Sequence, residues 1–530
     1  MTNSIGEIRA ADFLMVIGSN TTEAHPVIAM EMKRAALRGA TLVVCDPRRI
    51  WLADFADHHL QLAPGTDVWL LNAMARVIID EGLWDADFVA RHTEGFAAVV
   101  EAVRDCTPER AEQMTGVPAE LIRTVARAYA TTEKAGIYYT LGITEHTHGT
   151  DNVYALSNLV LLTGHLGKPS AGLNPLRGQN NVQGANDTGA SPVFLPGYQR
   201  ADDAAARARV GAAWGVPVPE TPGLNLNQMM KAVAAGGPVR GLFVMGEDIL
   251  VSEPDVARLE AGVAQLEALV VQDIFLTETA KYADVVLPAA CFAEKEGTFT
   301  NSERRVQRVR RAVNAPGEAR PDWAILAALF ERVSGRPAAP GGPAAIYDEM
   351  AGLTDKFAGI SHARIDAEGG LQWPCPTPDH PGTRYLHADG PARGKALLVG
   401  VRPKRNHEMP DDAWPLLLTT GRTLYHYNAG TQTRRVAGVT DKQDGCFVEV
   451  CPADAAVLGV GDGDVVRVST RRGAIEARAR VSSRVARGRV WMPFHFAEAR
   501  ANLLTVDAGD AVTGTGAYKV CACRVVRAGG

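Results

Sequence analysis

The stretch from Asn174 to Asp187, NPLRGQNNVQGAND, is dense in carboxamides and carries one arginine, Arg177. A guanidinium holds a carboxylate through two parallel hydrogen bonds, and a hydrogen bond to a charged group contributes roughly 1.5–3 kcal/mol. Asn180, Asn181 and Gln183 can both donate and accept, so they can fix a polar loop without a hydrophobic anchor. Taken alone, an arginine in such a loop more often forms a structural ion pair than a binding site.

Glycine turns after apolar strands indicate sites for phosphate. One such turn is Gly18–Asn20, where backbone N–H groups at the start of a helical pattern can cradle a pyrophosphate. Asp46 ends the next apolar run and is placed to meet a ribose or a base, although as the residue before Pro47 it could also simply end a strand. Because the turn is not G-x-G-x-x-G, a plain NAD site is disfavoured.

Metal-ligand patterns are weak in this sequence. His146 and His148 alternate, so a strand would place both imidazoles on one face, but no third ligand follows nearby. Eight cysteines are scattered without a Cys-x-x-C pair, and such a set favours reduced thiols. Cys521 and Cys523 fit one buried face of a strand.

The elements that must position these residues begin with a βαβ unit from Phe13 to Arg49. Thr66 is expected to be the N-cap of an apolar helix. Later patterns predict a helix from about Pro108 to Ala130, a buried strand in AGIYYTLGIT, and a helix from about Asp151 to Thr163. These patterns predict a first α/β layer with mostly parallel strands.

A second α/β block begins at Val239–Asp248 with a strand that runs into a glycine turn. LEALVVQDIFLTETAKYADVVLPAA predicts two strands joined by a polar turn, and a helix is expected from about Pro321 to Val333. The Pro, Gly and Ala residues of Arg336–Ala345 predict a surface connection.

From about Asp411 the chain changes to short β runs, and a GDGD turn precedes the alternating VVRVST and AIEARARV segments. This pattern predicts hairpins that close a small barrel. We therefore expect an α/β protein with two Rossmann-like parallel-sheet domains, 1–180 and 181–400, and a C-terminal β-barrel, 401–530.

Composition narrows the function classes. A net charge of −5 disfavours a general nucleic-acid partner. No apolar run reaches the roughly 18 residues of a membrane helix, and the first twenty residues carry Glu7, Arg9 and Asp12 where a signal peptide needs an apolar centre. We expect a cytoplasmic protein that does not insert into membranes.

Four long motifs carry a resemblance to a known family: NPLRGQNNVQGAND, FVMGEDILVSEPD, VVQDIFLTETAKYADVVLPAACFAEKEGTFTNSERRVQR and YKVCACRVV. The chain resembles, over nearly all its length, the catalytic α subunits of molybdenum- or tungsten-dependent formate dehydrogenases. The resemblance implies bis-molybdopterin guanine dinucleotide as the cofactor, two α/β domains that each hold one dinucleotide, and a barrel over both. It also implies that formate is oxidised to CO2.

The resemblance implies roles for individual residues. Arg177 would face the metal and hold the substrate carboxylate, Gln179 would shape the pocket, and His146 would border it, with His148 structural. One dinucleotide would contact Gly18, Ser19, Asn20, Asp46, Arg48, Gly65 and Asp67. The other would contact Gly246, Glu247, Gln272 and Asp273, and the barrel would add Thr420, Arg422, His426, Asn502 and Lys519.

The sequence departs from the family pattern in three places. Members of the family begin with four cysteines for a 4Fe-4S cluster and a metal-ligating cysteine or selenocysteine; we expect that segment to be encoded separately or lost, and assign no metal ligand here. Asn186 stands where relatives commonly have cysteine. Asn428 and Ala429 differ from the usual barrel motif and are expected to alter a pterin contact.

Three hypotheses follow from the resemblance and its gaps. The first is the catalytic portion of a formate dehydrogenase that passes electrons to iron-sulfur and flavin subunits, as in NAD-linked members. The second is a cofactor-binding remnant without turnover. The third is another molybdopterin oxidoreductase for nitrate or an oxo substrate, which LRGQNNVQG disfavours because that motif suits a carboxylate.

Overall fold

The computed structural model describes residues 1–338 and 341–529. By the density of contacts, the chain divides into two compact units. The first consists of Met1–Leu176, Leu250–Ala257 and Tyr385–Gly530, and the second of Arg177–Ile249 and Arg258–Arg384. No helix in the described part of the chain is long and apolar enough to cross a membrane.

The strands, in chain order, are β1 (Phe13–Ile17), β2 (Thr41–Cys45), β3 (His58–Leu60), β4 (Thr93–Glu94), β5 (Ala135–Tyr139), β6 (Gly172–Pro175), β7 (Phe194–Leu195), β8 (Gln199–Arg200), β9 (Gly241–Met245), β10 (Ala268–Asp273), β11 (Val285–Pro288), β12 (Gly297–Thr300), β13 (Arg305–Val309), β14 (Leu371–Gln372), β15 (Ala396–Leu397), β16 (Leu416–Gly421), β17 (Phe447–Val450), β18 (Val465–Ser469), β19 (Ala474–Val481), β20 (Arg489–Pro493) and β21 (Cys521–Arg527).

The α-helices, in chain order, are α1 (Thr21–Ala24), α2 (Pro26–Leu37), α3 (Asp67–Asp80), α4 (Ala86–His92), α5 (Phe96–Val103), α6 (Pro108–Thr115), α7 (Ala119–Thr131), α8 (Leu141–Thr144), α9 (Gly149–Leu162), α10 (Val182–Asp187), α11 (Ala204–Trp214), α12 (Leu226–Ala234), α13 (Ile249–Ser252), α14 (Val256–Val263), α15 (Asp322–Ser334), α16 (Gly342–Ala351), α17 (His362–Glu368), α18 (Ala437–Thr440) and α19 (Pro452–Leu458).

The first unit contains a five-stranded parallel sheet in the order β3-β2-β1-β5-β6. Successive residues of a strand point to opposite faces, and here both faces are apolar. Phe13, Met15 and Ile17 pack against α3, α7 and α9, whereas Leu14 and Val16 pack against α2. Because helices cover both faces, the carboxyl end of the sheet is the place left for a ligand.

The barrel also belongs to the first unit. It closes in the order β16-β20-β17-β19-β18-β21, with β18 and β19 paired as an antiparallel hairpin from Val465↔Arg478 to Ser469↔Ala474. In β19 buried and exposed residues alternate, as expected for a strand with one face in a barrel core. Cys521 and Cys523 lie fully buried in that core as free thiols. The predicted barrel is confirmed.

The second unit contains a three-stranded parallel sheet in the order β11-β10-β9. Val244, Leu269 and Val271 form its buried face. An antiparallel sheet, β12-β13-β14, and the helices α15, α16 and α17 complete the unit. The fold class is therefore the predicted one, with two parallel α/β sheets and a β-barrel.

Two local predictions were wrong, and a third was right only in part. The helix expected over 108–130 is two helices, α6 and α7, because Gly116 is left-handed (φ 79°) and Pro118 cannot continue α6. Residues 145–148 form a turn between α8 and α9 rather than a strand that places His146 and His148 on one face. In the expected connection 336–345, residues from Gly342 begin α16, while 339 and 340 lie outside the described residues.

Candidate functional site

The first glycine turn follows β1 and is built by two glycines in close contact. Gly18 has φ +54°, and a Cβ added to it would lie 2.8 Å from the backbone of Gly142. The amide of Gly142 donates to the carbonyl of Gly18 at 3.1 Å, and the Thr140 hydroxyl donates to the same carbonyl at 2.7 Å. A side chain at either glycine would force the turns apart, so this geometry requires both.

Four consecutive side chains after Gly18 present buried oxygen atoms. Ser19 Oγ, Asn20 Oδ1, Thr21 Oγ1 and Thr22 Oγ1 have no hydrogen-bond partner among residues 1–338 and 341–529. A buried polar atom without a partner costs roughly 1–3 kcal/mol, so four in sequence call for an explanation. A bound polar group that donates to and accepts from these atoms supplies one.

Two carboxyl groups lie near the carboxyl end of the same sheet. Burial raises the pKa of Asp46 to about 6, against the opposing effect of the Arg48 amide, which donates to Asp46 Oδ1 at 2.9 Å. Burial raises the pKa of Asp67 to about 7, and the neighbouring charge of Asp46 adds to that shift. A ligand that donates N–H groups would stabilise the charged form of these carboxyl groups.

The loop before Asp67 needs a glycine for a different reason. Gly65 has φ +75°, and a Cβ there would overlap the side chain of Asn406. Thr66 is the N-cap residue of α3 as predicted, but its hydroxyl donates to the Ala63 carbonyl at 2.7 Å instead of capping the helix. The loop is thus held by tertiary contacts within the first unit.

Arg48 is buried in an ion pair with the barrel. Its Nε and Nη2 donate to the two carboxylate oxygens of Glu449 at 2.5 and 2.8 Å, and Glu23 lies 3.8 Å from Nη1. The guanidinium also stacks on Trp491, 4.2 Å from the ring centroid. These contacts hold the Asp46 turn against β17. Arg48 Nη1 is buried and has no hydrogen-bond partner among the described residues, so the expected contact of Arg48 with a dinucleotide stays a prediction.

His146 stabilises the turn that contains Gly142. Its Nε2 lies 2.9 Å from the Gly142 carbonyl, and its side chain is buried. Burial lowers the pKa of His146 to about 4, so the imidazole is neutral at pH 7 and donates from Nε2. His148 lies with its ring 6.0 Å away, and burial lowers its pKa too.

The barrel residues expected at the site fall into two groups. Lys519 forms an ion pair with Glu145 at 2.7 Å and donates to the Thr420 carbonyl at 3.1 Å, so it joins the barrel to the turn that holds His146. Burial lowers the pKa of Arg422, whose guanidinium lies over the Tyr427 ring at 5.8 Å. Lys519 and Arg422 bring positive charge to this part of the first unit.

The other three barrel residues are bound to protein groups, and the Thr420 hydroxyl donates to the Tyr518 carbonyl at 3.0 Å. His426 Nε2 lies 2.8 Å from the Gln443 carbonyl, and Asn502 donates to the carbonyls of Val251 and Ser252 at 3.0 and 2.7 Å. His495 accepts from the Thr423 amide at 3.0 Å and donates to the carbonyl of Asn428, which has φ +50°. Asn428, where the sequence departs from the family pattern, therefore has a left-handed backbone, and its carbonyl accepts from a buried histidine.

In the second unit, the glycine turn after β9 is open. A Cβ at Gly246, which has φ +67°, would have no neighbour within 4 Å, and Glu247 follows it half-buried. Gln272, fully buried, donates to Asp322 at 2.7 Å, but its Oε1 has no partner in the described chain. Asp273 Oδ1 accepts from the Ile274 amide at 2.6 Å. The turn leaves room for a ligand beside an acceptor that lacks a donor.

Arg177 opens the second unit, and its loop is held by polar contacts. Its amide donates to Ser302 Oγ at 3.0 Å, and its Nε donates to Gln183 Oε1 at 3.1 Å. Asn181 accepts from the Thr300 amide at 3.0 Å, which fastens the loop to β12. Arg177 and Gln179 are both half-buried. The carboxamides thus fix the arginine as their hydrogen-bonding capacity predicts, and a planar anion is what this arginine can bind.

Several site residues escaped prediction from the sequence. Asp187 follows Gln183 by four residues, a spacing that predicts one face of a helix, yet only Gln183 was expected to hold the loop. Glu449 and Ser302 gave no local signal, because their partners, Arg48 and Arg177, are distant in sequence. In the part of the chain that the structure describes, no three His, Cys, Asp or Glu side chains are grouped to hold a metal ion.

Two family models match this chain. Residues 1–332 match the model of molybdopterin oxidoreductases, and residues 416–522 match the molybdopterin dinucleotide-binding domain. The chain is 46% identical over 99% of its length to the α subunit of F420-dependent formate dehydrogenase 2 from Methanococcus maripaludis, of which it covers 78%. It is 38% identical to formate dehydrogenase H from Escherichia coli, covering 99% of this chain and 74% of that protein.

Among solved structures, acetylene hydratase from Pelobacter acetylenicus matches with a TM-score of 0.77, over 99% of this chain and 80% of that one, at 18% identity. That likeness concerns the fold. The family models cover more than half of the chain, and the two relatives align with it almost end to end. The chain therefore belongs to the molybdopterin oxidoreductase family.

Proposed function

We propose that this chain is the catalytic subunit of a molybdenum- or tungsten-dependent formate dehydrogenase, and that Arg177 binds the carboxylate of formate. The observation that carries the proposal is the fixed guanidinium of Arg177, oriented through Nε by Gln183 in a loop tied to Ser302. A guanidinium held at Nε has a set plane, and formate is a planar anion that such a plane recognises.

The residues of the first unit fit a pterin guanine dinucleotide. A guanine presents N1–H and N2–H2 donors, which suit the half-buried carboxyl group of Asp46 and the buried one of Asp67. The unpartnered oxygens of Ser19, Asn20, Thr21 and Thr22 fit the polar linkage of a dinucleotide. Lys519 and Arg422 add the positive charge that phosphates need. In this proposal Arg48 acts through Asp46, which it holds by its backbone amide.

The residues of the second unit fit a second dinucleotide. Open space at Gly246 lets a phosphate approach the backbone, and the buried Oε1 of Gln272 accepts from a base or sugar donor. Asp273 and Glu247 stand at the carboxyl ends of neighbouring strands, where ligands of parallel sheets bind. His426 and Asn502, bonded to protein carbonyls, support the barrel loops in this proposal.

The bound group supplies a two-electron redox centre. The chain supplies the rest: Arg177 orients formate with its C–H away from the guanidinium, and Gln179 shapes the pocket beside it. Neutral His146 holds the Gly142 turn of the first unit without adding a charge there. Electrons leave through iron-sulfur and flavin partners in this proposal. The acceptor is NAD or, as the name of the first relative suggests for that protein, F420.

The experiment uses the chain purified with the subunits that accompany it. We expect a pterin guanine nucleotide and molybdenum or tungsten at two pterins per metal, and formate-dependent dye reduction. Assays with NAD and with F420 then identify the acceptor. Cofactor without turnover of formate would support the remnant hypothesis, and nitrate-dependent dye oxidation without formate activity would support the third hypothesis; either result would overturn the proposal.

A further inference from the structure

The orientation of Arg177 depends on one carboxamide. Gln183 Oε1 accepts from Arg177 Nε at 3.1 Å, and Gln183 is 4% exposed. A carboxamide is nearly symmetric in shape, so it can present either oxygen or NH2 to a neighbour. If the NH2 group faced the guanidinium, two donors would meet. Something must therefore fix the direction of this amide.

Asp187 fixes it. Gln183 Nε2 lies 2.8 Å from Asp187 Oδ1 and 2.7 Å from the hydroxyl of Tyr198. An ionised carboxylate only accepts hydrogen bonds, so the NH2 end of Gln183 must point toward Asp187 and its oxygen toward Arg177. Gln183 and Asp187 stand four residues apart on α10, which places them on one face of that helix.

Asp187 is itself held on both oxygens. The Tyr198 hydroxyl donates to Oδ1 at 2.9 Å, and the Trp373 indole Nε1 donates to Oδ2 at 2.8 Å. The carboxylate is 2% exposed, and it faces three donors from three separate segments. Burial raises the pKa of Asp187, while these donors and the charge of Arg177 oppose the shift. The three hydrogen bonds therefore fix the position of the Asp187 carboxylate.

We propose that Asp187 is a positioning residue for substrate binding: through Gln183 it sets the plane of the Arg177 guanidinium that receives the carboxylate. This inference rests on the proposed function of Arg177. Asp187 does not touch the substrate; it acts only through the amide. Tyr198 and Trp373 hold Asp187 in place and belong to the same network.

The role predicts a pattern in the kinetics. Asp187→Asn replaces one carboxylate oxygen by an NH2 group, and Gln183 and Trp373 donate to different oxygens. One of these donors therefore faces NH2, and the Gln183 amide can relieve that repulsion by turning and presenting its own NH2 to Arg177. Arg177 binds the carboxylate in the ground state and the transition state alike, so KM for formate should rise at least tenfold while kcat falls less than threefold. Asp355→Asn, on an exposed position of the same unit, is the matched control and should leave both unchanged.

A double-mutant cycle tests whether Asp187 acts through Gln183. Gln183→Leu should raise KM by a similar factor, and Asp187→Asn combined with Gln183→Leu should be no worse than Gln183→Leu alone. If the two effects multiply, Asp187 acts by another route and the inference is overturned. A KM for Asp187→Asn equal to that of the wild type also overturns it.

Two measurements separate this inference from the proposed function. Tyr198→Phe retains the ring but removes the hydroxyl that donates to Asp187 and accepts from Gln183. It should raise KM about threefold, and it replaces Asp187→Asn if that variant fails to fold by circular dichroism. Equilibrium titration of the purified enzyme with formate, and separately with nitrate, needs no turnover. Tenfold weaker binding by Asp187→Asn supports the positioning role even if the wild type does not oxidise formate, and unchanged binding refutes it.

Discussion

The two parallel sheets of this protein are built from similar strands but are covered differently. In the first unit every residue of β1, Phe13–Ile17, is buried, and alternate residues enter two separate cores. In the second unit β9 has the same length and apolar character, yet Phe243 and Met245 are 42% and 49% exposed.

The exposed residues of the second sheet form a row. Phe243 pairs with Val270, and Val270 pairs with Val285, which is 47% exposed, so the three side chains lie on one face. Parallel sheets are normally covered on both faces. Among the described residues, this face of the second sheet is open to solvent. The first sheet therefore carries the larger share of the buried apolar surface.

The largest predicted effect is on the first sheet. Phe13 is fully buried, with its ring 5.6 Å from that of Tyr129, so Phe13→Ala should lower the local free energy of opening by about 3–5 kcal/mol. Hydrogen exchange of peptides from β1 and β5, followed by mass spectrometry, measures this change. A loss below about 1 kcal/mol would mean that the first sheet does not form a tightly packed core.

A middle-sized effect distinguishes the two units by pH. Burial lowers the pKa of His495 in the barrel to about 3, far below its value in an unfolded chain. Below about pH 6.5 the unfolded state binds a proton at His495, whereas the folded state keeps the imidazole neutral. The stability of the folded state therefore decreases as pH falls from about 6.5 toward 3.

His495→Gln removes that titration. Between pH 7 and pH 5 the barrel of the wild type should lose about 2 kcal/mol more than the variant does. Hydrogen exchange of β20 and β21 at the two pH values, corrected for intrinsic rates, gives the difference, and β9 and β10 serve as the internal control. An equal pH response of wild type and variant would show that the fold does not lower the pKa of His495.

The smallest effect is predicted on the open face. Phe243→Ala, the same substitution as in the first sheet, should change the opening free energy of β9 and β10 by less than about 1 kcal/mol, because the ring is already in contact with water. Exchange of peptides from these strands measures it. A loss of several kcal/mol would show that the face is covered in solution, and the contrast between the sheets would fail.

Sequence patterns predicted elements better than contacts. The alternation in Val465–Ser469 and Ala474–Val481 predicted the hairpin, and the apolar runs around Gly18 predicted the βαβ unit, because these signals are local. Gly116 and Pro118 are also a local signal, because they mark the end of α6. Arg48 with Glu449, 401 residues apart, and Asp187 with Trp373, 186 apart, pair only through the fold. Periodicity in the sequence does not reveal such partners. The hydrogen-bond network that orients Arg177 is therefore seen only in the folded structure.

The measurement that tests the central claim most directly is the formate dependence of the Arg177→Lys enzyme. Lysine keeps the charge but loses the planar pair of donors, so KM for formate should rise roughly ten- to a hundredfold with the cofactor content unchanged. Arg240→Lys, at an exposed position of the same unit, should match the wild type. A KM for Arg177→Lys equal to that of the wild type would contradict the assignment of Arg177 as the residue that binds formate.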